Sequence, residues 1–344
     1  MPSTSYQLPQ LLSPRQPFGP PIIPARLLWT SSSLGLWRSC KRKWFWKYIM
    51  RLIPRVKDKN LVIGSIFHEC VAQWYRGRRS SMQSITANYT KQLQDYFAAK
   101  SGFYSQEDVD AFDVAINNFG GMMLAYAEQY DQDRRLWRIN RKLIEKQFLV
   151  ACGDFDFGGK IDLVIDDPGY QPSVVVEHKT TSKIRTGYVE RLPLDTQIRA
   201  YMFGSRHGLN VKTQTVLYDV VAKSKWRRKS NESVEEFSLR NAKRYMAEPN
   251  KFFYREPIPV TKDALASFEF ELHQTHGEYK QLIRSLKSDG LLDPRNWGSN
   301  DKICDQYFKQ CEFLSLCLEG LDKGTARGFD QNQDMHEELD KDED

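Results

Sequence analysis

Residues 155–179 read FDFGGKIDLVIDDPGYQPSVVVEHK. Two apolar runs, 155–165 and 173–178, flank the turn signal Asp167-Pro168-Gly169. A third run, 146–152, precedes them across Gly153-Asp154. All three are short and rich in Val, Ile and Phe, so three consecutive strands are expected. A strand sends alternate side chains to one face, so Glu177 and Lys179 leave the third strand together. Asp162 lies late in the second strand, beside them. Two charged groups at the end of an apolar run are costly to bury unless they are paired or bind metal. Asp162, Glu177 and Lys179 are therefore a candidate catalytic set. The carboxylates offer hard oxygen ligands to Mg²⁺ or Mn²⁺, and the lysine can orient or deprotonate a water attacking a phosphodiester. The plainer alternative is a surface hairpin carrying a Glu–Lys pair.

On the N-terminal side, apolar residues recur at helical spacing over 60–78, 85–99 and 106–129. On the C-terminal side, the pattern predicts a helix over 194–204 and a strand over 213–221. A further strand over 235–239 is expected to pair with it across the polar run 223–233. Helices are expected over 268–286 and 304–317. Helices first, then β-β-β-α-β, then helices, make a mixed α/β body with a mixed central sheet. Gln197 and Tyr201, four apart, share one face of the helix after the third strand. Gly64-Ser65-Ile66-Phe67-His68 opens the first long helix. His68 there is either a metal ligand or a packing residue.

The 344 residues are 40% hydrophobic and 12% aromatic, enough for a sizeable core. A Pro- and Ser-rich flexible arm is expected over 1–27, one domain over 28–320 and an acidic disordered tail over 321–344. The net charge is +6, yet Gly328–Asp344 holds eight acids and one lysine, which leaves the remainder at +13. A basic body suits a polyanionic partner such as DNA. The segment Lys223-Ser224-Lys225-Trp226-Arg227-Arg228-Lys229 sets five positive charges around an indole. It is a candidate DNA-binding surface, or else a solvated hairpin tip. No apolar run approaches the ~20 residues of a membrane span, and no secretory signal is legible. A cytoplasmic protein with reduced cysteines is expected. A phosphate-binding Walker loop is also absent from the sequence, which argues against a built-in ATP motor.

Gly-x-x-x-His (Gly64, His68), Gly-x-x-Asp (Gly159, Asp162), Glu-x-Lys (Glu177, Lys179) and Gln-x-x-x-Tyr (Gln197, Tyr201) follow one another in this order. In this the chain resembles the RecB-like branch of the PD-(D/E)XK nuclease superfamily, which includes the Cas4 proteins, the AddB nuclease domain and many phage exonucleases. The likeness runs from about Ser31 to Cys317. It implies a restriction-endonuclease-like core. It implies His68, Asp162, Glu177 and the backbone carbonyl of His178 as ligands of Mg²⁺ or Mn²⁺, and Lys179 as the catalytic lysine. Gln197 and Tyr201 would help position DNA. The implied activity is a metal-dependent DNA nuclease, an exonuclease on single strands or ends. A helicase or another recombination- or CRISPR-related partner is in keeping with such relatives. An endonuclease of the same fold and a non-catalytic DNA-binding subunit stand as alternatives.

Cys304, Cys311 and Cys317 lie near the C-terminus, and Cys40 far upstream among basic and aromatic residues. The iron–sulfur members of that branch carry one N-terminal and three C-terminal cysteines. The resemblance therefore implies a [4Fe-4S] cluster on Cys40, Cys304, Cys311 and Cys317. By chemistry alone four thiolates also suit structural zinc, and Cys304 and Cys311 would equally serve as core residues of a helix.

Overall fold

The computed structural model describes residues 18, 19, 21–77, 81–100, 102, 104–166, 173–184, 186–286, 290–306, 309–321, 328–336 and 339. The chain opens with β1 (Leu28–Trp29), α1 (Ser31–Ser39), α2 (Lys41–Trp44) and β2 (Leu52–Pro54), then the long helices α3 (Lys59–Arg76), α4 (Met82–Lys100) and α5 (Gln106–Gln129). The short α6 (Asp133–Leu136) leads to β3 (Lys146–Cys152), β4 (Phe155–Ile161), β5 (Leu163–Ile165) and β6 (Ser173–Thr181). After α7 (Thr186–Val189) come α8 (Thr196–His207), β7 (Thr213–Ala222), α9 (Val234–Ala247), α10 (Pro249–Phe252), β8 (Phe253–Pro259) and α11 (Lys262–Ser285). The chain closes with β9 (Asp305–Gln306), β10 (Lys309–Gln310), α12 (Leu314–Glu319) and β11 (Phe329–Gln331). No helix among the described residues is long and apolar enough to cross a membrane.

Two compact units result. One comprises Met1–Arg55, Leu149–Gly159 and Ala266–Asp344; the other comprises Val56–Phe148 and Lys160–Leu265. The second holds a four-stranded sheet in the order β5-β6-β7-β8. Its outer pairs are antiparallel and its central pair, β6 with β7, is parallel. A parallel pair needs a long crossover, and the segment carrying α8 provides it. Val174, Val175 and Val176 of β6 are all buried, as befits a strand covered on both faces. Phe67, Cys70 and Trp74 of α3 and Phe112, Phe119 and Met123 of α5 complete this core. Each long helix begins where a side chain satisfies its free amides: Asp58 caps α3, Ser105 caps α5 and Asp195 caps α8.

In α5 the pair Gly120-Gly121 meets α9. A Cβ on Gly121 would come 2.5 Å from Asn241 Cβ and 2.8 Å from the Ser238 carbonyl oxygen. Here glycine is required by close approach, and Asn118 and Asn241 seal the contact with a 3.0 Å hydrogen bond.

The first unit is built around aromatic rings. Trp29, Trp37, Trp44, Trp46, Trp297, Tyr48 and Phe45 are all fully buried. Trp37 meets Trp44 edge-on at 5.1 Å, and Trp44 stacks on Trp297 at 5.8 Å. β1 pairs in parallel with β4, and β2 pairs antiparallel with β11.

Several expectations need correction. The run 155–165 is two strands, because the chain turns out of the ladder at Asp162. Residues 235–239 lie within helix α9, and the true neighbour of β7 is β8. The cause is local: Ser233 and Glu236 form a reciprocal capping box that starts a helix. Residues 304–317 are not one helix but a hairpin of β9 and β10 followed by α12. Part of the expected tail, Phe329–Gln331, is a strand with Phe329 buried. Leu27, expected in a flexible arm, is 2% exposed. The turn expected at Asp167-Pro168-Gly169 falls outside the described residues.

Candidate metal and nuclease site

Asp162 stands in the break between β4 and β5. One of its oxygens accepts the backbone N–H of His178 at 2.8 Å and lies 3.2 Å from His68 Nδ1. His68 reaches it from the middle of α3. Glu177 comes from β6 and is fully buried. Its Oε1 is 2.5 Å from Lys179 Nζ, while Oε2 has no hydrogen-bond partner among the described residues. Lys179 also donates to Gln197 Oε1 at 2.7 Å, and Gln197 Nε2 donates to Tyr201 OH at 2.7 Å. The helix spacing expected for Gln197 and Tyr201 thus becomes a hydrogen-bonded chain ending on the lysine. His68, Asp162, Glu177, Lys179, Gln197 and Tyr201 all belong to the second unit.

Burial and charge set the protonation of these groups. Burial alone would raise the Asp162 carboxyl, but His68 and His178 hold it well below the ordinary range. Glu177 goes the other way: burial and the Asp162 charge raise it, and Lys179 offsets only part of this. Burial also works against a charge on His68, yet Asp162 leaves that imidazole above its usual value. Burial, then the Glu177 charge, push the Tyr201 phenol well up, so it stays protonated. Two carboxylates with pKa values driven apart, beside a lysine, are a pattern associated with functional sites.

Glu145, absent from the expected set, joins them. Ligand atoms of His68, Glu145 and Asp162 lie within 4.8 Å of one another. Glu145 has φ 52°, the left-handed region that a non-glycine residue rarely adopts. Its N–H donates to the Asp162 carbonyl at 2.9 Å and its carboxylate pairs with Lys160 at 2.8 Å. These two contacts hold a conformation that costs on the order of 1–3 kcal/mol. In sequence, Ile-Glu-Lys-Gln looks like the exposed start of a strand, and nothing in it signals that backbone turn.

His178 was expected to contribute only its carbonyl. Its imidazole is buried, with Nδ1 3.6 Å from Asp162 and Nε2 3.7 Å from Asp219. Asp219 accepts from Tyr126 at 2.8 Å and from Arg255 at 2.7 Å. Arg255 also donates to Asp133 at 2.8 Å, which accepts from Tyr75 at 2.9 Å. A sealed Tyr–Asp–Arg network therefore backs the site.

The expected basic surface divides. Lys225, Arg227, Arg228 and Lys229 are exposed. Trp226 is partly buried, packed on Tyr245 and Phe252 with Arg244 over its ring. Its ring is thus held in place by protein neighbours while staying partly exposed. Lys223 Nζ donates to Asn60 Oδ1 at 2.8 Å.

The four cysteines of the expected cluster all lie in the first unit and carry free thiols. The Cys311 N–H donates to the Cys304 carbonyl at 2.8 Å across the β9–β10 hairpin. Burial raises the Cys317 thiol, and the nearby Cys40 and Cys304 add to the rise. Among the described residues no three of these sulfurs come within 4.8 Å of one another. Cys70 and Cys152 are buried, and burial pushes their thiols up to about 12 and about 11.

The solved structures to which the chain is similar include two at low identity. The protein SSO0001 is 12% identical with a TM-score of 0.26, over 64% of this chain and 77% of its own. A protein of Eubacterium rectale provisionally named as an exonuclease is 11% identical with a TM-score of 0.37, over 85% of this chain and 92% of its own. No curated protein matches. Residues 28–318 match the family described as the PD-(D/E)XK nuclease superfamily. That match spans most of the chain, and the mixed sheet flanked by helices agrees with the restriction-endonuclease-like core of this family. The chain belongs to the PD-(D/E)XK nuclease superfamily, and its family activity is hydrolytic cleavage of nucleic acid.

Proposed function

We propose that the protein is a Mg²⁺- or Mn²⁺-dependent deoxyribonuclease of the RecB-like branch, acting as an exonuclease on single strands or DNA ends, with residues 28–320 as its working body. The observation that carries this is Glu177 Oε2, a fully buried carboxylate oxygen without a hydrogen-bond partner among the described residues, beside the convergent His68, Glu145 and Asp162. Leaving such an oxygen unsatisfied is costly unless a cation takes it up, and the donor set is mainly the hard oxygen that Mg²⁺ and Mn²⁺ prefer. Asp162, Glu177, His68 and the His178 carbonyl would hold the ion, with Glu145 as a further ligand. A cation bound there polarises the phosphate and favours ionisation of water.

The protein's own groups do the rest. Lys179, 30% exposed, reaches the solvent side of the site while Glu177 and Gln197 fix its ammonium. From there it can orient the attacking water and offset charge developing on the phosphate. Tyr201 locks the Gln197 amide so that its oxygen faces Lys179. The test is purified protein with end-labelled DNA, linear and circular, single- and double-stranded, with and without Mn²⁺. The expected result is Mn²⁺-dependent loss of linear DNA with circles spared. Cleavage of circles would make it an endonuclease, and no cleavage of any substrate would overturn the proposal.

Cys40, Cys304, Cys311 and Cys317 are proposed to hold a structural [4Fe-4S] cluster. Tetrahedral zinc with bonds of about 2.3 Å would draw its sulfurs to roughly 3.8 Å apart. No three cysteine sulfurs are preset at such a spacing among the described residues, so the proposal rests on the resemblance and on the four cysteines sharing the first unit. Burial holds the Cys311 and Cys317 thiols above their ordinary value, with Lys43 and Arg42 offsetting part of the rise, so a bound metal would have to draw off their protons. Anaerobically purified protein should be brown and hold about four irons per chain. Cys311→Ala should lose the colour and melt earlier, since ligand loss removes folding free energy. Stoichiometric zinc without iron would replace the cluster with a zinc site.

A further inference from the structure

His68, Gly64 and Asn60 are spaced four apart on α3, so they descend one side of the helix over about 12 Å. His68 is at the candidate metal site. Asn60, at the other end, accepts a hydrogen bond from Lys223 Nζ at 2.8 Å. Lys223 immediately follows β7, and its N–H donates to the Thr181 carbonyl at 2.7 Å, at the end of the strand that carries Lys179. Helix and strand thus run past each other between two landmarks: the metal site at one end, Lys223 at the other. Lys59 and Lys225 gather beside Lys223. Burial and then these two charges depress the Lys223 ammonium. No carboxylate pairs with any of the three lysines among the described residues. This is positive charge held together without an internal counterion.

Gly64 lies midway. A Cβ built there meets nothing within 4 Å, so packing does not require glycine. A glycine inside a helix costs about 1 kcal/mol against alanine. Gly35 and Gly277 are equally open, so openness alone does not single out Gly64. What does is its place between the candidate metal site and an unpaired lysine cluster.

We propose that this side of α3 is the track of the substrate: a single DNA strand leaves the metal site over Gly64, which gives its backbone clearance, and a phosphate beyond the scissile one binds Lys223, Lys59 and Lys225. The proposal rests on the nuclease reading and adds the strand's path to it. Phosphates would replace the missing counterions, and a bare helix surface would let the sugar–phosphate chain lie close.

The experiment uses the full chain and fluorescein-labelled oligothymidylate, with binding followed by anisotropy in metal-free buffer and cleavage followed in Mn²⁺. Gly64→Ala should melt at or above wild type, and Gly64→Val should fold; both should bind an octanucleotide more weakly, Gly64→Val by tenfold or more. Lys59→Ala with Lys225→Ala should flatten the dependence of log affinity on log salt by about 1.4, as two lost single-strand phosphate contacts require. A dinucleotide, too short to reach the lysines, should bind wild type and the double-lysine variant alike. Wild-type affinity and salt slope in all of these variants would overturn the track while cleavage by wild type still upheld the nuclease reading. Failure of wild type to cut DNA would instead remove the nuclease reading, and the binding measurements would then show whether a strand follows α3 at all.

Discussion

Cleavage should fall by about 10²–10⁴-fold in Lys179→Ala and in Asp162→Asn, with melting close to wild type in both. Lys179 is the group best placed to act on water, and its partly exposed side chain can be shortened without opening the core. Asp162 demands more care. Its carboxylate accepts the His178 N–H, so Asp162→Ala would orphan a buried donor and cost about 1–3 kcal/mol. Asparagine keeps an oxygen for that bond while removing the charge. Single-turnover rates at saturating Mn²⁺, beside a thermal melt, make the check. Wild-type rates in either variant would remove the proposed mechanism. The Mn²⁺ requirement of wild type should also grow as the solution is acidified from alkaline towards neutral pH. Glu177 has a raised pKa, a protonated carboxyl does not ligate, and binding must then expel a proton.

Gly121→Ala should destabilise the second unit strongly for a single methyl group. On an isolated helix the change would stabilise by about 1 kcal/mol. Here the new Cβ lands 2.5 Å from Asn241 Cβ and 2.8 Å from a backbone oxygen of α9, neither of which can swing aside. Overpacking of this kind costs about 1–3 kcal/mol net of any relief, and the helices must separate to lower it. Urea unfolding should show the loss, and Asn118 and Asn241 should lose their mutual hydrogen bond. Gly64→Ala, the same substitution in open space, is the internal control. Equal stability of the two variants would refute the close-packing account.

The strands and the convergence of Asp162, Glu177 and Lys179 were legible because strand geometry and charge speak in the same residues. Val174–Val176 can only be a covered strand, and Glu177 and Lys179 at its end have no plain structural excuse. Other elements hid for identifiable reasons. In α9, Phe237 and Leu239 alternate with polar residues and mimic a strand, yet Phe237 is buried and Leu239 is 56% exposed. The capping box at Ser233 and Glu236 carried the better signal. β8 was disguised by Pro257 and Pro259, which an edge strand tolerates because its outer N–H groups need no partner. Glu145 could not be found, because its place depends on a backbone angle and on Asp162, a residue distant from it in sequence. His178 showed its position but not its neighbours, since Asp219, Arg255, Tyr126 and Tyr75 meet it only through the fold.

The first unit has an awkward birth. Its three stretches are delivered by the ribosome at different times, with the whole of α3 to β8 made in between. At about 5–20 residues per second, Cys40 waits on the order of tens of seconds for Cys304, Cys311 and Cys317. During that interval Trp29, Trp37 and Trp44 lack Trp297 and Tyr279, the rings that cover them in the finished protein. A nascent chain stalled near Leu265 would carry every residue of the second unit together with an uncovered aromatic surface and a bare thiol. Those rings and that thiol stay uncovered until residues 279–317 have been made.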